Sequence, residues 1–416
     1  MALAALDPGF VALCERALER AGVPGAAIGV VFGEETWVRG FGLTARGGGP
    51  VTPETTFRIA SITKPFTATL ALYLALSQAL DFAEEVPAPG PDVTVRHLLS
   101  HLGGFESECG DLARFGEGDD ALTLLATELM RQPQVVPPGE LWSYCNAGYW
   151  LLGWFLAERA GSGYEDALTD WVLRPLGLSR TGFGAPEATG HDPEPVADVF
   201  PRARRPSGGL VSNVVDLLEF ARLHLDEPET ALLREPVAPT PHGYYGFGLA
   251  LDRAGELELW GHNGSYGGFE SRFVLEPERR FAFVGLSNSS RGGLALEEIL
   301  DAALERTLGT RRPRRRTVRI AADELELLAG RYAQPELVVA LAAAGRGLRV
   351  DLARVEPATG EMTREPPAPA RPIGRRLFEL EDGERRGARF DFHPDSGVPV
   401  FVRIASRLAE RLEDER

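Results

Sequence analysis

Ser61 and Lys64 are the residues of this chain best suited to do chemistry. They stand three apart in Arg58-Ile59-Ala60-Ser61-Ile62-Thr63-Lys64-Pro65, and Lys64 is the one lysine among 44 basic side chains in 416 residues. Arginine replaces lysine wherever only positive charge is needed, but a guanidinium cannot give up its proton at ordinary pH. On a helix, residues i and i+3 share a face, so the hydroxyl and the amine can meet. The helix N-terminus adds partial positive charge that favours an alkoxide and disfavours an ammonium. Free lysine, with a pKa of about 10.4, must be lowered by several units to act as a base near neutrality, which burial achieves. The chemistry on offer is covalent hydrolysis through an activated serine. At ordinary lysine usage a Ser-x-x-Lys tetrad turns up by chance about once or twice in a chain of this length, so its weight rests on what accompanies it.

Two further segments do. Tyr144-Cys145-Asn146 supplies Tyr-x-Asn, and Trp260-Gly261-His262-Asn263-Gly264-Ser265 supplies His-x-Gly just before an expected strand. In this order and spacing the motifs resemble those of the serine β-lactamase/penicillin-binding-protein superfamily. The similarity is nearest to its class C β-lactamase, D-aminopeptidase, DD-carboxypeptidase and esterase branch. Flanking segments Thr52–Ala60, Arg96–His101 and Gly208–Asn213 agree, and the resemblance spans roughly residues 8–308. It implies that Ser61 is the acylating nucleophile and that Lys64 shares in its deprotonation. Tyr144 would carry a proton to the leaving group, and Asn146, His262 and Gly264 would bind substrate. The backbone N–H groups of Ser61 and Ser265 would form the oxyanion hole. Whether Lys64 or Tyr144 is the acylation base stays open. Many relatives carry lysine where His262 stands; a histidine is only partly charged near neutral pH, which shifts weight from β-lactams toward D-amino-acid peptides, amides or esters.

Other residue patterns have plainer readings. Cys145 replaces the usual small hydroxyl of Tyr-Ser-Asn and reads as packing. His97 and His101 have i, i+4 spacing without a third ligand and read as structural, so no metal is expected. Cys14, Cys109 and Cys145 form neither a disulfide framework nor a zinc motif. The α/β-hydrolase elbow G-x-S-x-G does not occur.

The elements that must position these residues follow from periodicity. Residues 8–22 read as a helix, Ala26–Phe32 and Trp37–Leu43 as a hairpin, and Phe66–Leu80 as a buried helix. Helical patterns recur at 120–131, 146–160, 164–173, 213–225 and 293–307, with a strand pair at 268–276 and 280–288. The stretch 177–212 reads as loop. The expected fold class is α and β, β-lactamase/transpeptidase-like: an antiparallel sheet flanked by helices plus a helical subdomain, residues 1–308. An Arg-rich solvated linker, 309–317, follows. Residues 318–416 alternate with period two (Leu348, Val350, Leu352; Phe378, Leu380; Ala388, Phe390, Phe392; Val400, Val402, Ile404) around an Asp382-Gly383 turn. They read as a small antiparallel β-barrel-like domain, similar to the lipocalin-like domains of some D-aminopeptidase relatives.

The net charge of −16 lies mostly in the main body, where residues 1–317 carry 42 acids against 28 bases, which argues against nucleic-acid or anionic-membrane partners. No apolar run reaches transmembrane length, and Met1–Pro8 lacks a basic n-region, so the expected location is cytoplasmic. The reading is a serine hydrolase without cofactor, acting on D-amino-acid peptides or amides, with room for a homo-oligomer. An esterase or class C-like β-lactamase on the same machinery is the alternative, and a non-catalytic scaffold the third.

Overall fold

Gly25–Phe32 and Phe281–Ser287 are apolar on both faces and are buried along almost their whole length. Such strands belong at the centre of a sheet covered on both sides. The computed structural model, which describes residues 3, 9–108, 110–313, 315–356, 360–383 and 385–413, puts them there. Pro8 at the expected helix start, most of the leading segment, Cys109 and Arg314 lie outside the described residues. The main sheet comprises β1 (Gly25–Phe32), β2 (Glu35–Gly42), β3 (Ala238–Pro239), β4 (Tyr244–Tyr245), β5 (Ala250–Ala254), β6 (Leu257–Tyr266), β7 (Phe269–Glu276) and β8 (Phe281–Ser287). Its order is β2-β1-β8-β7-β6-β5-β4-β3, and its pairings are antiparallel.

Of the helices α1 (Gly9–Ala21), α2 (Thr63–Leu76), α3 (Asn146–Ala160), α4 (Val214–Asp226) and α5 (Gly292–Leu308), the first and last cover one face of the sheet, α4 covers the other, and α2 and α3 pack against each other. Alternation along β1 divides the core. Ile28 and Val30 pack with Phe10 of α1 and Leu296 and Ile299 of α5. Ala27 and Val31 face the other layer, with Leu218 of α4, Phe66 of α2 and Leu151 of α3. Gly29 makes the approach of α4 possible, since a Cβ there would lie 2.8 Å from Leu218 Cδ1. Phe66 stacks on Phe220 at 3.7 Å between centroids, locking α2 to α4.

Three expectations are corrected. The strands β3 to β6 were not anticipated as a set, and the His-x-Gly motif lies within β6 instead of before a strand. Gly261, Asn263 and Gly264 break the apolar alternation that would have revealed it. The stretch read as loop also holds a short hairpin, His191–Asp192 with Glu194–Pro195, and helical turns over Arg202–Gly208. The Arg-rich segment is not free in solvent throughout: Arg312 ion-pairs with Glu297 (2.5 Å) and Asp301 (2.6 Å) on α5.

Beyond it, β9 (Gly330–Gln334), β10 (Leu337–Ala344), β11 (Gly347–Val355), β12 (Ala368–Pro372), β13 (Leu377–Leu380), β14 (Arg389–His393), β15 (Phe401–Ile404) and β16 (Arg407–Arg411) form a second sheet. The order β10-β9-β16-β15-β14-β13-β12-β11 returns to β10, so the eight strands close into a barrel. Tyr332, Phe378, Phe390, Phe392, Val402 and Ile404 fill it. Val400, expected inside, is 48% exposed, because it precedes β15.

Candidate active site

Ser61 sits on a single helical turn, Ala60–Ile62, that leads directly into α2. Ala60 before it has φ of 46°, a left-handed conformation uncommon for a residue with a Cβ. Such strain persists only where surroundings over-determine it. Here Ser271 Oγ of β7 donates to the Ile59 carbonyl at 3.0 Å and also lies 3.3 Å from the Gly264 carbonyl. Gly264 lets β6 come close: a Cβ on it would fall 2.2 Å from the Ile59 carbonyl oxygen. The turn bearing Ser61 and the β6 segment bearing Ser265 are thereby stitched side by side.

Lys64 is fully buried in the first turn of α2. Its Nζ lies 3.1 Å from Ser61 Oγ, 2.8 Å from Asn146 Oδ1 and 2.9 Å from the Ser207 carbonyl oxygen. The rings of Tyr144 and Tyr149 stand 4.8 and 5.5 Å from it. Burial holds the amine well below its ordinary pKa; the Glu108 charge opposes this, and the Arg407 and Arg204 charges reinforce it. A neutral amine carries two N–H donors and one lone pair. Asn146 Oδ1 and the Ser207 carbonyl can only accept, so they take both donors, and the lone pair is left for the Ser61 hydroxyl. The arrangement can move the serine proton onto the amine.

The Tyr144 phenol is pushed up, chiefly by burial, with the Ser61 side chain opposing the shift. It therefore enters as the neutral phenol. Its neighbour Cys145 caps α3: Sγ accepts from the Gly148 N–H at 3.3 Å, the task a serine would perform. Burial pushes that thiol up to about 12, so it is no thiolate. His101 holds this segment from below. Its Nδ1 accepts from the Cys145 N–H at 3.0 Å, and its Nε2 lies 3.2 Å from the Tyr245 hydroxyl. His97 instead accepts from the Thr94 N–H, so the two histidines serve different backbone segments.

His262 departs from the sequence reading in charge. It is 8% exposed and lowered to about 3, first by burial and then by Lys64. Its Nδ1 donates to the Asn263 carbonyl at 2.6 Å, which leaves Nε2 as an acceptor. The expected partial charge near neutrality is corrected: the ring is neutral there.

The structure thus gathers Ser61, Lys64, Tyr144, Asn146, His262, Gly264 and Ser265 into one place. Sequence reasoning missed the Ser207 carbonyl, Tyr245, and two charged residues at the mouth, Glu108 and Arg407. The last belongs to the barrel. The β15–β16 hairpin reaches across: the Tyr144 N–H donates to the Ser406 carbonyl at 2.8 Å, and the Leu408 N–H to Ser143 Oγ at 3.2 Å. Arg403, 3% exposed, donates to the Trp142 and Pro239 carbonyls at 3.1 and 3.2 Å.

The family model described as Beta-lactamase matches residues 10–306. The chain belongs to the beta-lactamase family, and with it to the serine hydrolases. A relative within that family, penicillin-binding protein 4 of Amycolatopsis lactamdurans, is 30% identical over 67% of this chain and 84% of its own length. D-aminopeptidase of Cereibacter sphaeroides (strain KD131) is 27% identical over 94% of this chain and 76% of its own. The solved structure of SurE with D-Leu superposes with a TM-score of 0.77 at 27% identity, covering 98% of this chain and all of that one. Among the described residues no helix is long and apolar enough to cross a membrane.

Proposed function

We propose that this beta-lactamase-family enzyme forms an acyl-enzyme on Ser61 and acts on peptides or amides built from D-amino acids. The observation that carries the mechanism is the Lys64 amine, held well below its ordinary pKa by burial and bonded to Asn146 Oδ1 and the Ser207 carbonyl, facing Ser61 Oγ at 3.1 Å. In acylation the Ser61 proton passes to Lys64 as Oγ attacks the substrate carbonyl. The Ser61 and Ser265 N–H groups, brought together by Gly264, receive the oxyanion. Tyr144, a neutral phenol, hands a proton to the leaving amine and takes it back from Lys64; water then attacks the ester by the reverse route. Asn146 and His262 line the substrate's path.

Two observations support the substrate class. A neutral His262 offers no cation for the carboxylate of a β-lactam or a C-terminal residue. The D-aminopeptidase and SurE matches span nearly the whole chain, barrel included. An esterase is the second reading, favoured by the same neutral His262, since an ester needs no carboxylate anchor; class C-like β-lactamase activity is weaker on this ground. We assign the catalytic part to residues 1–308, the linker to 309–317 and the barrel domain to 318–416. We place the enzyme in the cytoplasm, where the free buried thiols Cys14 and Cys145 would stay reduced. The test is turnover of D- and L-amino-acid p-nitroanilides, a p-nitrophenyl ester and nitrocefin by wild type and Ser61→Ala. The reading expects D-anilide turnover that is lost in Ser61→Ala; ester-only turnover selects the second reading, and rapid nitrocefin hydrolysis overturns both.

A further inference from the structure

Asn146 has two ends of nearly equal size and opposite hydrogen-bonding character. Its Oδ1 accepts from Lys64 at 2.8 Å, while its Nδ2 donates to Glu108 Oε1 at 2.5 Å. The direction matters to the base. With Oδ1 toward Lys64, the amine spends an N–H on Asn146 and keeps its lone pair for Ser61. With the amide turned over, Nδ2 would claim that lone pair, and an N–H of the amine would point at the serine instead. Lys64 alone does not settle the choice, because a neutral amine can both donate and accept. Glu108 does, because a carboxylate only accepts.

Glu108 is itself fixed from three directions. Arg407 Nη2, on the barrel's β15–β16 hairpin, reaches the same Oε1 at 2.8 Å, and its Nε donates to Ser107 Oγ at 3.1 Å. Ser107 Oγ accepts from the Asn146 N–H at 3.0 Å, so the loop carrying Glu108 is tied to the first turn of α3. Arg204 stands 3.8 Å from the other oxygen, Oε2. The Glu108 side chain is 11% exposed, and a carboxylate so enclosed needs a paired cation.

We propose that Glu108 is a positioning residue for the Ser61–Lys64 pair, setting which end of Asn146 faces the amine, and that Arg407 makes the barrel domain part of that device. The inference rests on the hydrolase reading above. It makes the C-terminal domain necessary for acylation and not only for stability, through a chain Arg407–Glu108–Asn146–Lys64 in which only the last member exchanges a proton with Ser61.

The test is the rate at which a fluorophosphonate labels Ser61 from pH 5 to 9. In that step the serine oxygen bonds to phosphorus, fluoride leaves, and the serine proton passes to Lys64. Glu108→Ala frees the amide to turn and should slow labelling at least tenfold, up to about 10²-fold for a misplaced base. Glu108→Gln should stay within about threefold of wild type, because one carbonyl oxygen can receive both Asn146 and Arg407 as Oε1 does. The groups facing Lys64 are Tyr144, Tyr149, His101, His262, Glu108, Cys145, Arg204 and Arg407. Removing the Glu108 charge should therefore move the acid limb of the Glu108→Gln profile to lower pH, whereas Arg407→Ala should move it to higher pH and slow labelling. Should Glu108→Ala fail to fold, as judged by its thermal transition, Arg407→Ala decides. Wild-type labelling rates and profiles in Glu108→Ala or Arg407→Ala overturn this proposal and leave the hydrolase standing. A wild-type protein that does not label at Ser61 overturns both.

Discussion

The backbone N–H of Tyr144 and the carbonyl of Ser406 meet at 2.8 Å, joining the tyrosine beside Ser61 to the tip of a barrel hairpin more than half the chain away in sequence. Ser406 and Ala405 both have positive φ, 66° and 50°, in the two-residue turn between β15 and β16. This is the primed-turn geometry of tight hairpins, adopted here without glycine. The turn aims Arg407 at Glu108 and the Ser406 carbonyl at Tyr144. A change in how the barrel docks is therefore felt at Tyr144 through one hydrogen bond.

Arg403→Ala tests that docking. The side chain pairs with Asp391 inside the barrel wall and holds two carbonyls of the catalytic part. Removing one member of a buried ion pair costs on the order of 3–5 kcal/mol. Calorimetry should show the barrel melting ahead of the main sheet as a separate transition, with kcat falling more than KM rises. A single transition at the wild-type temperature would show that Arg403 does not couple the two parts.

His262 makes a prediction about charge. Because the ring stays neutral down to about 3, affinity for a carboxylate-bearing inhibitor such as benzylpenicillin should not strengthen with a midpoint near pH 6.5. Inhibition constants measured between pH 5 and 8 check this; a rise in affinity on acidification through pH 6.5 would mean that His262 charges in the complex.

His224 gives a stability prediction independent of catalysis. It is fully buried on α4 against Phe220 and Phe273, with neither ring nitrogen hydrogen-bonded, and burial lowers it to about 3. A basic group with a lowered folded pKa leaves stability untouched above its unfolded value. Below about 6.5 the unfolded chain gains a proton that the folded chain refuses, and the penalty grows until pH reaches about 3. It amounts to on the order of 5 kcal/mol at most. His224→Leu should therefore flatten the loss of stability between pH 6.5 and 3 in urea titrations. An unchanged acid limb would contradict the assignment.

What the sequence disclosed and what it concealed divide along chain distance. Ser61 with Lys64, and Tyr144 with Asn146, are legible because one helix or one cap fixes each pair, so spacing alone fixes geometry. α1, α3, α4 and α5 are legible within a residue or two because their apolar periodicity is unbroken. β6 is hidden by its own function: Gly261 and Gly264 are there so that backbones can approach, and they erase the alternation that marks a strand. Glu108 and Arg407 are invisible for another reason. They are 299 residues apart, in a loop and a hairpin turn with no motif, and only the docking of two folded units makes them a pair. The barrel is legible as a class; its strands at 330–344, 368–372 and 407–411 are not, because small and charged residues such as Ala340, Ala342, Pro369 and Arg371 interrupt the period of two.

The role of Lys64 as the base for Ser61 is measured most directly by intact-mass and peptide mapping of fluorophosphonate labelling in wild type and Lys64→Arg at pH 7.5. Arginine keeps the positive charge but cannot take a proton. Wild type should carry a single adduct on Ser61, and Lys64→Arg should label about 10²–10⁴-fold more slowly, the contribution of a positioned base. Labelling of Lys64→Arg at a rate near wild type, or a wild-type adduct on any residue other than Ser61, would contradict that role.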